Sequence, residues 1–448
     1  MSPARRLAND HGINLTDLRK GVYAVCIEDV LRNLECRATV TKVNRIRAPL
    51  FTPRSELVRT YQWVCVAKMH RKSGFLVAPC GSGKTLIGLI IAVLNGGRFL
   101  VLTTRYAEQW KSALEMFFEP LRSVCVVAGN ERCGRGLPDV VISTYSAFTK
   151  VTRHSRLVRQ LVYDTVILDE AHGAASASVL ALIDCMHVQY WCALTATKVR
   201  EDEELTKLEA RVGGTVVELD RGYLVESGHI ADVDVLNIVV PYADDCGLER
   251  DVGRVMALAL HGNKIQALVA VLRRLTADGC KTIVFCDDLF CLDWTAAIVR
   301  AAALPLVGQI SMRTPCEERT RLVDAFTDLE SALLFVSRTG DEALDIPTAS
   351  AGVVFWNHWA SRRQIVQRIG RLSRVGEGAK PCFVVLLADD EREKRASNHR
   401  DLYLQQHGYV VRSTQFAKSR FSEPLLSGGT YTERLVEKYR ATRCATTS

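Results

Sequence analysis

The segment GFLVAPCGSGKT (74–85) runs from an apolar stretch through a glycine-containing loop to a lysine and a threonine. Gly81 and Gly83 allow the tight turn that brings backbone N–H groups and a helix N-terminus around an anion. Lys84 can then reach the terminal phosphates of a nucleotide and Thr85 can ligate magnesium, with Ala78, Pro79, Cys80, Gly81, Ser82 and Gly83 lining the phosphate site. Ala78 stands where the strict form of this loop carries glycine. Further on, DTVILDEAH (164–172) ends an apolar run in Asp169 and Glu170. An acidic pair at the carboxyl end of a strand sits at the mouth of a parallel sheet, where such sheets bind ligands. Asp169 would hold magnesium through its water shell, and Glu170 would orient or activate an attacking water. The chemistry is ATP hydrolysis, with ATP and Mg2+ as the implied ligands.

A third cluster, QRIGRLSR (367–374), is basic. At spacings of four and three, Gln367, Arg371 and Arg374 share one face of a helix, with Arg368 beside them. A guanidinium delivered to a γ-phosphate neutralises charge in the transition state, an effect that reaches ~10³–10⁵ in rate.

These residues need a frame, and the apolar runs indicate which. Short stretches rich in Val, Ile, Leu or Phe fall at 74–79, 98–104, 139–146, 164–172, 192–197, 281–288, 332–338, 351–357 and 382–390, separated by longer amphipathic segments. That pattern predicts buried parallel strands of an α/β fold, too many for one sheet. The strand rhythm breaks at 242–264, which gives two α/β domains, 56–225 and 226–388, each with a parallel central sheet. A short basic extension (1–55) precedes them. A tail (389–448) follows, whose stretches DDEREKRASNHRDLYLQQHG and YTERLVEKYRATRC read as solvated helices.

Composition agrees with this frame. Apolar residues make up 48% and charged residues 24% of 448, which suits packed domains and excludes a disordered chain. The longest apolar stretch, Leu86–Leu94, is too short to cross a bilayer, and the first residues, MSPARRLAND, lack a secretory core. The 15 cysteines form no C-x-x-C pair, so reduced thiols and no structural zinc are expected. The net charge of +8 is concentrated in 1–55 (10 Lys/Arg, 5 Asp/Glu) and 389–448 (11 and 8), a modest sign of a polyanionic partner.

Taken in order, APCGSGKT, DEAH (169–172), Thr195-Ala196-Thr197, SRTGDEALDIP (337–347) and QRIGRLSR resemble motifs I, II, III, V and VI of superfamily 2 helicases and translocases. The resemblance covers roughly 56–388 and implies two RecA-like domains with nucleotide between them, so that hydrolysis opens and closes the cleft. It also implies that Gly340 and Asp345 of motif V belong to the nucleotide site. VRTYQ (58–62), Cys80, EQWK (108–111), ISTYS (142–146) and LTATKVRED (194–202) are similar to one branch, the XPB/Ssl2 helicases of the transcription and repair factor TFIIH. In that branch an Arg-Glu-Asp triplet after motif III is linked to DNA engagement. It maps onto Arg200, Glu201 and Asp202. Gln62 resembles the residue that reads adenine in related helicases.

Moving along a strand requires grip on the phosphate backbone without base readout. Residues after strands on the nucleic-acid face are the candidates: Thr103, Thr104 and Arg105; Ser143, Thr144 and Tyr145; Ser337, Arg338 and Thr339. The implied partners are DNA, with RNA open, and subunits of a TFIIH-like complex, without a membrane. The implied location is the nucleus in a eukaryote, and otherwise cytoplasmic or viral. Some 55 residues precede VRTYQ, fewer than the N-terminal domains of typical members need, and a thumb-like insertion corresponding to 242–263 looks reduced, which points to a divergent or viral relative. An iron–sulfur helicase would need four cysteines between motifs I and II, where only Cys125 and Cys133 occur. Two alternatives stay open: a transcript-release or RNA-directed helicase, and a non-catalytic scaffold with a helicase fold.

Overall fold

Runs of four to seven consecutive apolar residues have no wet face, so they are stable only inside a sheet covered on both sides. The computed structural model describes residues 57–104, 107–118, 124–127, 139–153, 162–196, 203–242, 253–338, 349–356, 362–372 and 380–416. The chain divides into two units, Met1–Ser227 and Gly228–Ser448.

The first unit contains α1 (Thr60–Met69), β1 (Gly74–Val77), α2 (Lys84–Asn95), β2 (Phe99–Thr103), α3 (Ala107–Phe117), β3 (Val124–Val127), β4 (Val140–Thr144) and α4 (Tyr145–Arg153). It continues with β5 (Val162–Leu168), a 3-10 turn (Ala171–Ala175), α5 (Ala177–Ile183), β6 (His187–Thr195), α6 (Glu203–Val212), β7 (Thr215–Glu218) and α7 (Arg221–Glu226). Its seven strands lie in the order β3-β4-β2-β5-β6-β1-β7, with every pairing parallel. One core buries α2 and Trp110 against one face of the sheet, and a second buries Leu168, Val179, Leu182 and Leu208 on the other.

The second unit repeats the plan with β8 (Asp234–Val240), α8 (Arg254–Leu260), α9 (Gly262–Ala277), β9 (Lys281–Cys286), α10 (Leu289–Ala301), β10 (Leu306–Ile310) and α11 (Cys316–Asp328). Then come β11 (Ala332–Val336), β12 (Ala351–Trp356), α12 (Arg362–Leu372), β13 (Cys382–Ala388), α13 (Glu391–Gln406) and β14 (Val411–Gln415). The strand order is β10-β11-β9-β12-β13-β8-β14, again all parallel. The run Arg254–Ala277 is long and apolar enough to cross a bilayer. His261, with ψ 150°, breaks it into α8 and α9, and Ala257–Leu260, Ile265, Leu268 and Leu272 are buried in the second core.

Each of the nine apolar runs lies on a strand, and five strands had no such run to announce them: β3, β7, β8, β10 and β14. The tail differs most from expectation. Instead of solvated helices alone, 389–416 supplies α13 and β14, and β14 pairs with β8 from Val411↔Val235 to Gln415↔Val239. Its sequence, VRSTQ, is polar because it lies at the sheet edge, mostly exposed. The α13 helix is held by polar contacts: Asn237, buried in the middle of β8, donates from Nδ2 to Asp401 Oδ2 at 2.7 Å, and Ser397 donates to the same oxygen at 3.2 Å. The stretch YTERLVEKYRATRC lies outside the described residues, as does the basic extension 1–55.

The second unit also encloses a charge pair. Arg368 is fully buried, its guanidinium 2.5 Å from Asp287 Oδ1 and 4.7 Å from the centre of the Phe285 ring. Removing one partner strands the other charge in a dry site, so Arg368→Ala should lower the unfolding free energy of this unit by about 3–5 kcal/mol. Arg368→Met combined with Asp287→Asn should recover part of that loss, as read by urea unfolding of the two variants.

Candidate active site

The glycine loop follows β1 and the acidic pair follows β5, with β6 between them in the sheet. Both therefore sit at the same carboxyl edge. Gly81 and Gly83 have φ of 81° and 77°, the left-handed region that glycine enters at little cost. At Gly83 space is short as well: a Cβ would lie 2.4 Å from Gln62 Nε2. Helix α2 starts directly from Gly83 without a side-chain cap, which leaves its first-turn amides to a ligand. Lys84 Nζ folds back over the loop, donating to the Ala78 carbonyl at 3.0 Å and the Pro79 carbonyl at 3.4 Å. A cation held by neutral carbonyls inside a glycine turn, beside uncapped helix amides, fits a polyphosphate. The strand end that leads into the loop is tied to β6, where the Ala78 amide donates to the Thr195 carbonyl at 3.0 Å; Thr85 and Cys80 are half-buried.

Gln62 is buried and committed to the loop. Its Nε2 donates to the Ser82 carbonyl at 3.1 Å, and its Oε1 accepts from the Arg59 amide at 2.9 Å. The Tyr61 hydroxyl donates to the same Ser82 carbonyl at 2.7 Å. Both residues of VRTYQ thus hold the loop, a role that sequence reading had not given Tyr61.

Asp169 has a partner on every polar atom. Its amide donates to the Leu102 carbonyl at 2.8 Å, and its carbonyl accepts from the Tyr145 hydroxyl at 2.9 Å. Oδ2 accepts from Trp110 Nε1 at 2.9 Å and Thr103 Oγ1 at 3.0 Å, while Oδ1 accepts from the Glu170 amide at 3.0 Å. Burial and the neighbouring Glu170 charge push the Asp169 carboxyl up to about 6, against the pull of the Trp110 and Thr103 hydrogen bonds and of Lys84. A carboxylate so placed is suited to a cation. Glu170 has φ 46° and ψ 60°, left-handed for a residue with a Cβ, and its Oε2 lies 3.5 Å from His172 Nδ1.

The strand-end residues expected on nucleic acid divide into two sets. Thr103, Ser143, Tyr145 and Ser337 are buried, and the Thr103 and Tyr145 hydroxyls face Asp169. Thr103 closes β2, Ser143 lies one residue before the end of β4, Tyr145 opens α4 and Ser337 follows β11, so these four lie within the packed ends of the sheets. Thr104 and Arg338 are exposed and Thr144 is half-exposed, its Oγ1 accepting from the Ala147 amide at 3.1 Å. In the second unit Gln367 and Arg371 are half-buried on α12, whose Ile365, Val366, Ile369 and Leu372 pack inward. Gly352 gives Leu372 room, since a Cβ there would meet its Cδ1 at 3.3 Å. Arg105, Arg200, Glu201, Asp202, Thr339, Gly340, Asp345 and Arg374 lie outside the described residues.

A left-handed conformation costs a side-chain-bearing residue about 1–3 kcal/mol that glycine avoids. Glu170→Gly should accordingly leave the first unit about 1 kcal/mol more stable than Glu170→Ala, measured as the difference in their denaturant-unfolding free energies.

Two family models match the chain in sequence: "Type III restriction enzyme, res subunit" over residues 43–200 and "ERCC3/RAD25/XPB C-terminal helicase" over residues 224–431. Among curated relatives, the TFIIH helicase/translocase subunit XPB of Schizosaccharomyces pombe is 27% identical over 86% of this chain and 50% of its own length. The XPB subunit of Antonospora locustae is 30% identical over 80% of this chain and 54% of its own length. The chain spans about half the length of the relatives it matches. Solved structures share the fold: the Pyrococcus furiosus Hef helicase domain at TM-score 0.54 and 16% identity, covering 78% of this chain and 99% of that one. Saccharomyces cerevisiae Dbp5 bound to RNA and ADP BeF3 aligns at TM-score 0.58 and 14% identity, covering 85% and 92%. With an XPB helicase model on its second half, a type III restriction enzyme model on its first, and XPB subunits matching along most of its length, the chain is similar to the XPB type of superfamily 2 helicases over most of its sequence.

Proposed function

We propose that this chain is an ATP-dependent DNA helicase or translocase that acts in transcription initiation, nucleotide excision DNA repair or both; the names of its relatives print general transcription and DNA repair. The observation that carries this reading is the pairing, at one sheet edge, of Lys84 in its left-handed glycine loop with Asp169 and Glu170 two strands away. A scaffold would have no chemical need for that combination.

In this reading the amides of Gly81–Thr85 cradle the phosphates, and Lys84 exchanges the Ala78 and Pro79 carbonyls for phosphate oxygens. Thr85 and Asp169 hold Mg2+, which when bound offsets negative charge on the β- and γ-phosphates. Glu170 holds the attacking water and takes its proton. Arg371 and Arg374 supply positive charge to the transferring group, with Gln367 beside them, and Asp345 with Gly340 steadies the arginines or the ribose. Gln62 keeps the loop in shape next to adenine. Thr104, Arg105, Thr144, Arg338 and Thr339 grip the nucleic-acid backbone, and Arg200, Glu201 and Asp202 engage the duplex. Subunits of a TFIIH-like complex are the protein partners, and the nucleus is the location in a eukaryotic host.

The deciding experiment measures ATPase rate with single-stranded DNA, duplex DNA, RNA or no nucleic acid, at two salt concentrations, for wild type and Glu170→Gln. DNA should raise the rate, with weaker stimulation at higher salt because phosphate contacts release counterions. Glu170→Gln should lower the rate by about 10² or more. Stimulation by RNA alone would move the chain to an RNA-directed role, and hydrolysis unaffected by Glu170→Gln would sink the catalytic assignment.

Acidity provides a second check. A cation binds the ionised Asp169, and with its carboxyl at about 6 the ionised fraction falls as pH drops through that value. The Mg2+ concentration giving half-maximal ATPase should rise about fourfold between pH 7.5 and pH 5.5, and saturating Mg2+ should restore the rate.

A further inference from the structure

The Asp169 carboxylate is asymmetric in its surroundings. Oδ2 accepts two hydrogen bonds, from the Trp110 indole at 2.9 Å and the Thr103 hydroxyl at 3.0 Å. An sp² oxygen has two in-plane lone pairs, so Oδ2 is filled. Among the described residues Oδ1 accepts one, from the Glu170 amide at 3.0 Å, and keeps one lone pair. Both donors to Oδ2 are themselves fixed. Thr103 is the last residue of β2 and is 1% exposed, and Trp110 is 2% exposed on α3. The Trp110 ring lies over Gly88 of α2, where a Cβ would stand 3.5 Å from Trp110 Cη2 and 2.9 Å from Leu194 Cδ1. Helix α2, which starts from the phosphate loop, therefore packs on the ring whose N–H points at the acidic pair.

We propose that Trp110 and Thr103 are positioning residues for metal binding: by occupying Oδ2 they lock the carboxylate rotamer and leave Oδ1 as the one oxygen of Asp169 that meets the cation. This rests on the reading of the site as one for Mg2+ and nucleotide. The indole also couples the loop helix to the acidic pair, so the two halves of the site are held in register by one side chain. Groups that orient a metal ligand in this way typically account for a 10–100-fold difference in metal affinity.

The test uses the full chain, ADP and Mn2+, with bound metal followed by electron paramagnetic resonance and ADP affinity measured separately in EDTA. Trp110→Phe keeps the ring on Gly88 and removes the donor, and Thr103→Val removes the hydroxyl at nearly constant volume. Each should weaken Mn2+ binding about tenfold or more, while Thr103→Ser stays near wild type and metal-free ADP affinity is unchanged in all three. The proposal is overturned if both donor-removing variants bind Mn2+ as wild type does while Asp169→Asn loses it. It is also overturned if Thr103→Ser is as weak as Thr103→Val, which would make the effect one of packing. If Trp110→Phe does not fold, the two Thr103 variants decide. Failure of the underlying reading is distinct: wild type would bind Mn2+ no better than Asp169→Asn does, with or without ADP.

Discussion

A carboxylate drawn out of water must be compensated, and in the first unit that demand falls on Asp169. Its four polar atoms are served by five residues from four places: Leu102 and Thr103 at the end of β2, Trp110 on α3, Tyr145 at the start of α4, and the adjacent Glu170 amide. Those hydrogen bonds explain why β2, β4 and β5 end level with one another and why α3 must bring an indole rather than a plain hydrocarbon to the sheet. They satisfy the carboxylate without supplying a positive charge, so the group stays difficult to ionise. The site is thus built around an unmet electrostatic need, which is the state expected of a group waiting for a cation.

The second unit deals with buried charge differently. Arg368 is closed off by Asp287 and the Phe285 ring, and Lys264, 1% exposed, is closed off by Glu393 at 3.2 Å with the Trp356 ring 5.1 Å away. These cations have their counterions inside the same unit, so they serve architecture. Arg368 sits within the basic cluster of α12 but is fully buried against Asp287 and Phe285, whereas Arg371 is half-exposed, which separates a structural arginine from a half-exposed one on the same helix.

Much of this could be read from the sequence because parallel strands buried on both faces announce themselves as apolar runs, and because a phosphate loop and an acidic strand end are short and local. The nine strands so marked include those that carry the glycine loop, the acidic pair and Thr195. The strands that escaped had different causes. β7 has only Val216 and Val217 as apolar residues, β14 is polar at an edge, and β8 carries Asn237 in its middle, made tolerable by Asp401 more than 160 positions away. Side-chain direction was the other gap. EQWK and ISTYS stood out as motifs, yet nothing local says that Trp110 and Tyr145 turn toward an aspartate from another strand. That knowledge comes only when β2, β4 and β5 lie side by side.

The closing strand of the second sheet has a practical consequence for how the protein can be divided. A fragment ended at Ala388, where the last strongly apolar run stops, would keep every helicase motif and still lose α13 and β14. Strand β8 would then present an unsatisfied row of amides and carbonyls along 235–239, and Asn237 would lose the carboxylate that balances it inside the sheet. Exposed edges of this kind recruit other strands, including those of neighbouring molecules. Insolubility of such a fragment would report on a missing sheet edge and would say nothing about whether the motor works.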